Sequence, residues 1–150
     1  MEIFYIDGQS VGNEQRDSLR KARIAIVYEP SSSLQAPSVR ERNVGDKTNN
    51  EAEYLALLEA LQIASDKWAA GDGRIPDEKG PILIRSDSQL IVNQMKGSYK
   101  VKEPHLKPLW ERACGLIATL GLVKLEWVPR EKNYAGLWLE GKWRGGTTGL

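Results

Sequence analysis

Cysteine and histidine occur once each in this 150-residue chain, and the charges of opposite sign nearly cancel, to a net +1. A lone cysteine, Cys114, excludes an internal disulfide and a cysteine metal cluster. It falls among apolar helix positions and reads as a small core residue, which suits a reducing compartment. No apolar run approaches the ~20 residues that a membrane-spanning helix needs. Met1 leads almost directly into a strand, which leaves no room for a signal peptide. A cytoplasmic protein with no membrane partner is therefore expected. The chain has no internal repeat. The small net charge is too weak to argue for nucleic-acid binding by itself, although Lys96, Lys100, Lys102 and Lys107 lie close together, as do Arg16, Arg20, Lys21 and Arg23.

What is present is ordinary globular composition, 41% hydrophobic and 27% charged. The length suits one domain. Ile3 to Ile6 reads as a buried strand, followed by a polar turn over 8–20. Lys21 to Tyr28 is a second strand, and Pro30 with Ser31, Ser32 and Ser33 forms a hairpin loop. Ser38 to Val44 is a third strand, polar and at the sheet edge. Thr48 opens a helix, with Glu51 at capping-box spacing. Tyr54, Leu57, Leu58, Leu61 and Trp68 keep helical spacing to about residue 70. After a Gly/Pro/Asp-rich connection over 71–80, Ile82 to Ser86 is a fourth strand, followed at once by a short helix to Met95. Pro104 to Leu120 is a helix, Leu122 to Val128 a fifth strand, and Asn133 to Glu140 a last helix. The domain spans 1–143, with 144–150 a frayed tail. A hairpin meander followed by strand–helix units implies an α/β fold with a mixed sheet.

Three acids stand at the ends of these elements. Asp7 ends the first strand in IFYIDGQSVGN, Glu53 lies early in the long helix in TNNEAEYLALLEAL, and Asp87 ends the fourth strand in ILIRSDSQLIVNQM. Each has a bland alternative. Asp7-Gly8 is a common turn signal, and Asp87 can cap the next helix. Glu51 is accounted for by the capping box. Glu53 is harder to dismiss, because it borders the apolar stripe, where a carboxylate is costly unless paired or metal-bound. If strands one and four are parallel neighbours, Asp7 and Asp87 stand side by side, roughly 4.8 Å apart at the backbone. Converging carboxylates repel one another, and hard divalent cations such as Mg²⁺ or Mn²⁺ relieve that repulsion.

The motifs D-G-x-S-x-G-N at Asp7 to Asn13, T-N-N-x-x-E at Thr48 to Glu53 and S-D-S-Q at Ser86 to Gln89 together resemble type 1 ribonuclease H. The runs NQMKGSYKVKEPHLKPLWERA and WVPREKN resemble its compact bacterial and archaeal members. The resemblance covers nearly the whole chain. It implies a ribonuclease H-like α/β fold with a mixed five-stranded sheet in the order 3-2-1-4-5 and helices on both faces. It implies an endonuclease that cleaves the RNA strand of RNA–DNA hybrids, using two Mg²⁺ or Mn²⁺ ions and leaving a 3′-hydroxyl and a 5′-phosphate. Asp7 would bridge both ions, with Glu53 and Asp87 beside it. Ser10, Gly12, Asn13, Asn49, Asn50 and Gln89 would contact the hybrid. A monomer is expected.

One departure stands out. The family places a fourth acid in N-x-x-A-D at the start of the last helix, where this chain reads Asn133-Tyr134-Ala135-Gly136. Glu140, four residues on and on the same helical face, is a candidate substitute, because helical side chains lean toward the N-terminus. Otherwise it is a solvent-exposed helix acid. The missing acid leaves a second reading open, a hybrid-binding module with impaired catalysis. A third, another nuclease or an integrase on the same fold, is disfavoured by the TNN and SDSQ motifs. The lone His105 reads as structural or phosphate-facing.

Overall fold

A computed structural model describes residues 2–11, 21–30, 34–69 and 81–150. The hairpin loop at 31–33 and the connection at 71–80 lie outside the described residues. The elements are β1 (Glu2–Val11), β2 (Lys21–Glu29), β3 (Ser38–Gly45), α1 (Asn49–Ala69), β4 (Ile82–Ser86), α2 (Gln89–Met95), α3 (Lys107–Leu120), β5 (Val123–Trp127), α4 (Tyr134–Leu139) and β6 (Thr147–Thr148). They form one mixed sheet in the order β5-β4-β1-β2-β3-β6. The five-strand order 3-2-1-4-5 is present, with β6 added outside β3. β1 runs antiparallel to β2 and parallel to β4, and β5 is parallel to β4.

Two corrections follow from this pairing. The tail expected to fray carries β6, whose Thr147 and Thr148 pair with Ser38 and Val39. The Thr147 amide donates to the Pro37 carbonyl, and the Arg40 Nε donates to that of Leu150. Part of β3's edge is therefore paired. β1 also does not end at Asp7. It continues to Val11 because β2 supplies partners along its whole length, from Ile3 against Glu29 to Val11 against Lys21.

The strands alternate between two apolar layers, as period-2 side chains require. Phe4, Ile6, Ile24 and Ile26 pack with α1 residues Tyr54, Leu57, Leu58 and Leu61, and with Leu106 and Ala113 from the α3 region. Tyr5, Ala25 and Val27 face the other way, onto Ala135 and Leu139 of α4. Helices thus cover both faces. The capping box at α1 is closed in both directions. The Thr48 amide donates to the Glu51 carboxylate, and the Glu51 amide donates to Thr48 Oγ1. This fixes where α1 begins and so where Glu53 stands. Among the described residues, no helix is long and apolar enough to cross a membrane.

Candidate functional site

β4 stops at Ser86, opposite Ile6 of β1, whereas β1 continues beside β2 for five more residues. The result is a notch past the C-terminal end of β4. Asp7 enters it from β1, and Asp87 from the first residue after β4. Glu53 arrives from the first turns of α1, which can lie this close because of Gly8. A Cβ at position 8 would sit 2.5 Å from the Glu53 amide nitrogen and nearer still to the Ala52 carbonyl. Asp7-Gly8 is therefore a strand-to-helix contact and not a turn.

Asp7, Glu53 and Asp87 each bring a carboxylate oxygen to within 4.8 Å of the others. Asp7 and Glu53 are buried, and the Asp87 side chain is 10% exposed. Burial, then the charge of Asp87, push the Asp7 carboxyl up to about 6 against the favourable hydrogen bond from Gln9. Burial, then the charge of Asp7, push Glu53 well above the usual carboxylate range. Asp7 Oδ1 and Glu53 Oε2 are both buried without a hydrogen-bond partner. Orphaned anionic oxygens are costly in a protein interior. Two such atoms facing a third carboxylate fit a hard divalent cation, which takes oxygen ligands.

The surrounding polar groups orient this trio. Gln9 Nε2 donates to Asp7 Oδ2 at 3.0 Å. The buried Asn133 donates through Nδ2 to Asp87 Oδ2 and to the Ile6 carbonyl, both at 2.9 Å, while its Oδ1 accepts from the Ala135 amide and caps α4. Asp87 does not cap α2. Ser88 does, accepting from the Ile91 amide. Trp127 Nε1 donates to the Asp87 carbonyl and holds β5 against the same corner. Gln9 and Asn133 were not singled out from the sequence. For Gln9, its place two residues after Asp7, on the same face of a strand, was the available signal.

Of the other candidates, Ser10 and Asn49 are joined to each other, the Ser10 amide donating to Asn49 Oδ1 at 2.7 Å. Asn50 is half-buried at the start of α1, and Gln89 is exposed at the start of α2. In the chain, all four lie within four residues of one of the three acids. Gly12 and Asn13 lie outside the described residues. His105 pairs with Glu103.

Gly136 does face the acids. A Cβ there would lie 3.4 Å from Asp7 Oδ2 and from Asp87 Oδ2. Glu140 does not join the trio. Its Oε1 accepts from Arg130 Nε at 2.8 Å and Nη2 at 2.6 Å, and its Oε2 lies 3.0 Å from Lys142 Nζ. Those two cations hold its carboxyl below the usual range. The one-turn spacing is real, but α4 ends at Leu139 and Glu140 caps it. The neighbouring bases then take its carboxylate instead.

These shifts have a consequence for pH. Carboxyls raised in the folded state stabilise it fully below their unfolded values, near 4, and lose that contribution as pH rises through their folded ones, about 6 for Asp7. A bound divalent cation favours the ionised forms and reverses the trend. The increase in melting temperature on adding Mg²⁺ or Mn²⁺ is expected to be larger at pH 8 than at pH 5. Thermal denaturation with and without the cation measures it, and an equal increment at both pH values would count against the cation site.

Comparison with known proteins points the same way. The reverse transcriptase-like family model matches residues 20–139. The solved structure of LC11-RNase H1 in complex with RNA/DNA hybrid is similar at 33% identity and a TM-score of 0.72, covering 89% of this chain and 88% of that one. RNase H1 from Halobacterium salinarum is similar at 30% identity and a TM-score of 0.69, with 89% of each chain covered. The bifunctional protein Rv2228c of Mycobacterium tuberculosis is 37% identical over 90 residues, which make up 60% of this chain but only 22% of that protein.

Proposed function

This chain belongs to the reverse transcriptase-like family and within it to type 1 ribonuclease H, and from that premise we propose that it is a metal-dependent endonuclease hydrolysing the RNA strand of RNA–DNA hybrids to 3′-hydroxyl and 5′-phosphate ends. The observation that carries this reading is the notch, where Asp7, Glu53 and Asp87 meet with two orphaned oxygens. All three acids come from one chain, which suits the expected monomer. Asp7, Glu53 and Asp87 would hold Mg²⁺ or Mn²⁺, with Asp7 shared between two ion positions. Bound there, the ions would supply an activated water and stabilise charge on the leaving 3′-oxygen. Gln9 and Asn133 keep the Asp7 and Asp87 carboxylates aimed into the notch, so that little reorganisation is needed when substrate arrives.

Ser10, Asn49, Asn50 and Gln89 would read the substrate, with Gly12 and Asn13 proposed beside them from the motif alone. Ribose 2′-hydroxyls distinguish RNA from DNA, and short amides both donate to and accept from them. Asn50→Ala and Gln89→Ala are expected to lower hybrid cleavage about tenfold, roughly 1.4 kcal/mol in the barrier, with little change in melting temperature. Added salt should weaken hybrid binding generally through lost phosphate contacts.

A second reading, a hybrid-binding module with impaired catalysis, is favoured by Gly136, which puts no carboxylate where the family has its fourth acid. One assay separates the two. A labelled RNA–DNA hybrid is incubated with Mg²⁺ and, separately, with Mn²⁺, beside RNA–RNA and DNA–DNA duplexes. Cleavage confined to the RNA strand of the hybrid supports the enzyme. Tight hybrid binding without cleavage in either ion supports the module. Equal cleavage of the DNA duplex defeats both.

A further inference from the structure

Gly136 leaves one side of the notch without an acid, and a cation reaches into it. Arg130 stands in the short 3₁₀ turn Arg130–Lys132 between β5 and α4. Its Nε and Nη2 both donate to Glu140 Oε1, and Glu140 is held in turn by Lys142. Only Nη1 is left to point inward, and it lies 3.5 Å from Asp87 Oδ1 and 3.8 Å from Asp7 Oδ1. Those are the two carboxylates that a Cβ on Gly136 would touch. The Asp7 oxygen concerned is one of the two orphans.

We propose that Arg130, anchored by Glu140, is a resident cation of this site: it offsets one of the negative charges that Asp7 and Asp87 bring in the substrate-free protein, which therefore takes one divalent cation and holds it less tightly than its three carboxylates would alone. The inference rests on the metal-site reading above and deepens it. Charge balance supports it. With a divalent ion bound the three carboxylates are ionised, and together with the guanidinium they leave two negative charges, the complement of that ion, while the charges of Glu140 and Lys142 cancel each other. An arginine is always protonated, so it cannot leave by losing its proton. A second divalent ion would have to displace it, and the phosphate of a bound substrate supplies both a counter-charge for that ion and an alternative partner for the guanidinium. Glu140 thereby acts as a positioning residue. Its carboxylate sets the reach of Arg130 and touches no ion itself.

The test measures Mn²⁺ binding to the whole chain without nucleic acid, by calorimetry and by loss of the free-ion paramagnetic resonance signal, at low salt and pH 8. The parent should bind one ion. Arg130→Gln should bind Mn²⁺ at least about tenfold more tightly or take a second ion. The double variant Arg130→Gln/Gly136→Asp should take two. Lys132→Gln, which removes an exposed charge from the same turn, should match the parent. Because Arg130 is half-exposed, its substitution is not expected to prevent folding, and circular dichroism checks this. If Arg130→Gln binds with the parent's affinity and stoichiometry, the arginine proposal is overturned while the metal site stands. The same holds if Lys132→Gln tightens binding as much, or if the parent takes two ions. If parent and Asp7→Asn bind Mn²⁺ alike or not at all, the metal-site reading fails instead.

Discussion

Asp7→Asn is expected to reduce hybrid cleavage at least about a thousandfold, roughly 4 kcal/mol in the barrier, and to leave the fold more stable in the absence of metal. Both halves come from the same place in the structure. Asp7 is the residue around which the others gather, close to Glu53, Asp87, Gly136 and Arg130. An amide of the same shape keeps the packing but cannot supply a shared anionic ligand. Without metal, the Asp7 carboxylate is fully buried and is raised to about 6 by that burial. Above pH 6 its ionisation costs folding stability, on the order of 2–3 kcal/mol for a shift of this size. The amide has no charge to lose. Chemical denaturation in EDTA at pH 8 measures the gain, and multiple-turnover cleavage with Mg²⁺ measures the loss. A variant that folds and cleaves at the parental rate would falsify the assignment of Asp7 as a shared ligand.

Among the described glycines Gly8 has the least room for a methyl group, so Gly8→Ala should be the most damaging alanine substitution of that set. Its Cβ would overlap the α1 backbone at Ala52 and Glu53. Backbone within a 21-residue helix packed on the sheet cannot swing aside as the end of a side chain can. Overpacking of this kind costs about 3 kcal/mol or more. It also moves Glu53 away from Asp7, so activity should fall further than stability explains, even at a temperature where the variant is folded. Gly115→Ala supplies the contrast. That glycine lies in the exposed face of α3 with open space where a Cβ would be, and alanine there should gain about 0.5–1 kcal/mol from helix propensity. Equal melting temperatures for the two variants would refute the close approach of β1 and α1.

Much of this fold was readable because its signals are local. The apolar runs at Ile3 to Ile6 and Ile82 to Ser86 mark the two central strands, and the spacing of Tyr54, Leu57, Leu58 and Leu61 marks the buried face of α1. Thr48 and Glu51 mark its first turn by a reciprocal bond that needs only three residues of separation. The three acids were legible for a related reason, since each lies where an apolar run stops or a capped helix starts, even though β1 itself continues past Asp7. The strand ends were less so. β1 outruns its apolar stretch because pairing with β2 continues through Gln9, Ser10 and Val11, and β6 exists only because the Ser38–Val39 edge is there to receive it.

The amino-acid sequence alone determined that three carboxylates would lie in or just beside two apolar strands and the first turns of a helix, since burial periodicity and capping are decided by near neighbours. Only the tertiary structure decided what else reaches them. Asn133 bonds the Ile6 carbonyl across 127 residues and Asp87 across 46. Arg130 approaches Asp87 across 43, and Gly8 earns its place from the backbone of Ala52. Glu140 shared a helical face with Gly136, as its spacing required, yet Arg130 and Lys142 hold its oxygens. Helical spacing fixes the direction in which a side chain leaves the backbone. Which partner it meets depends on the competing charges that folding brings within a few ångströms, and those belong to segments that no local pattern connects.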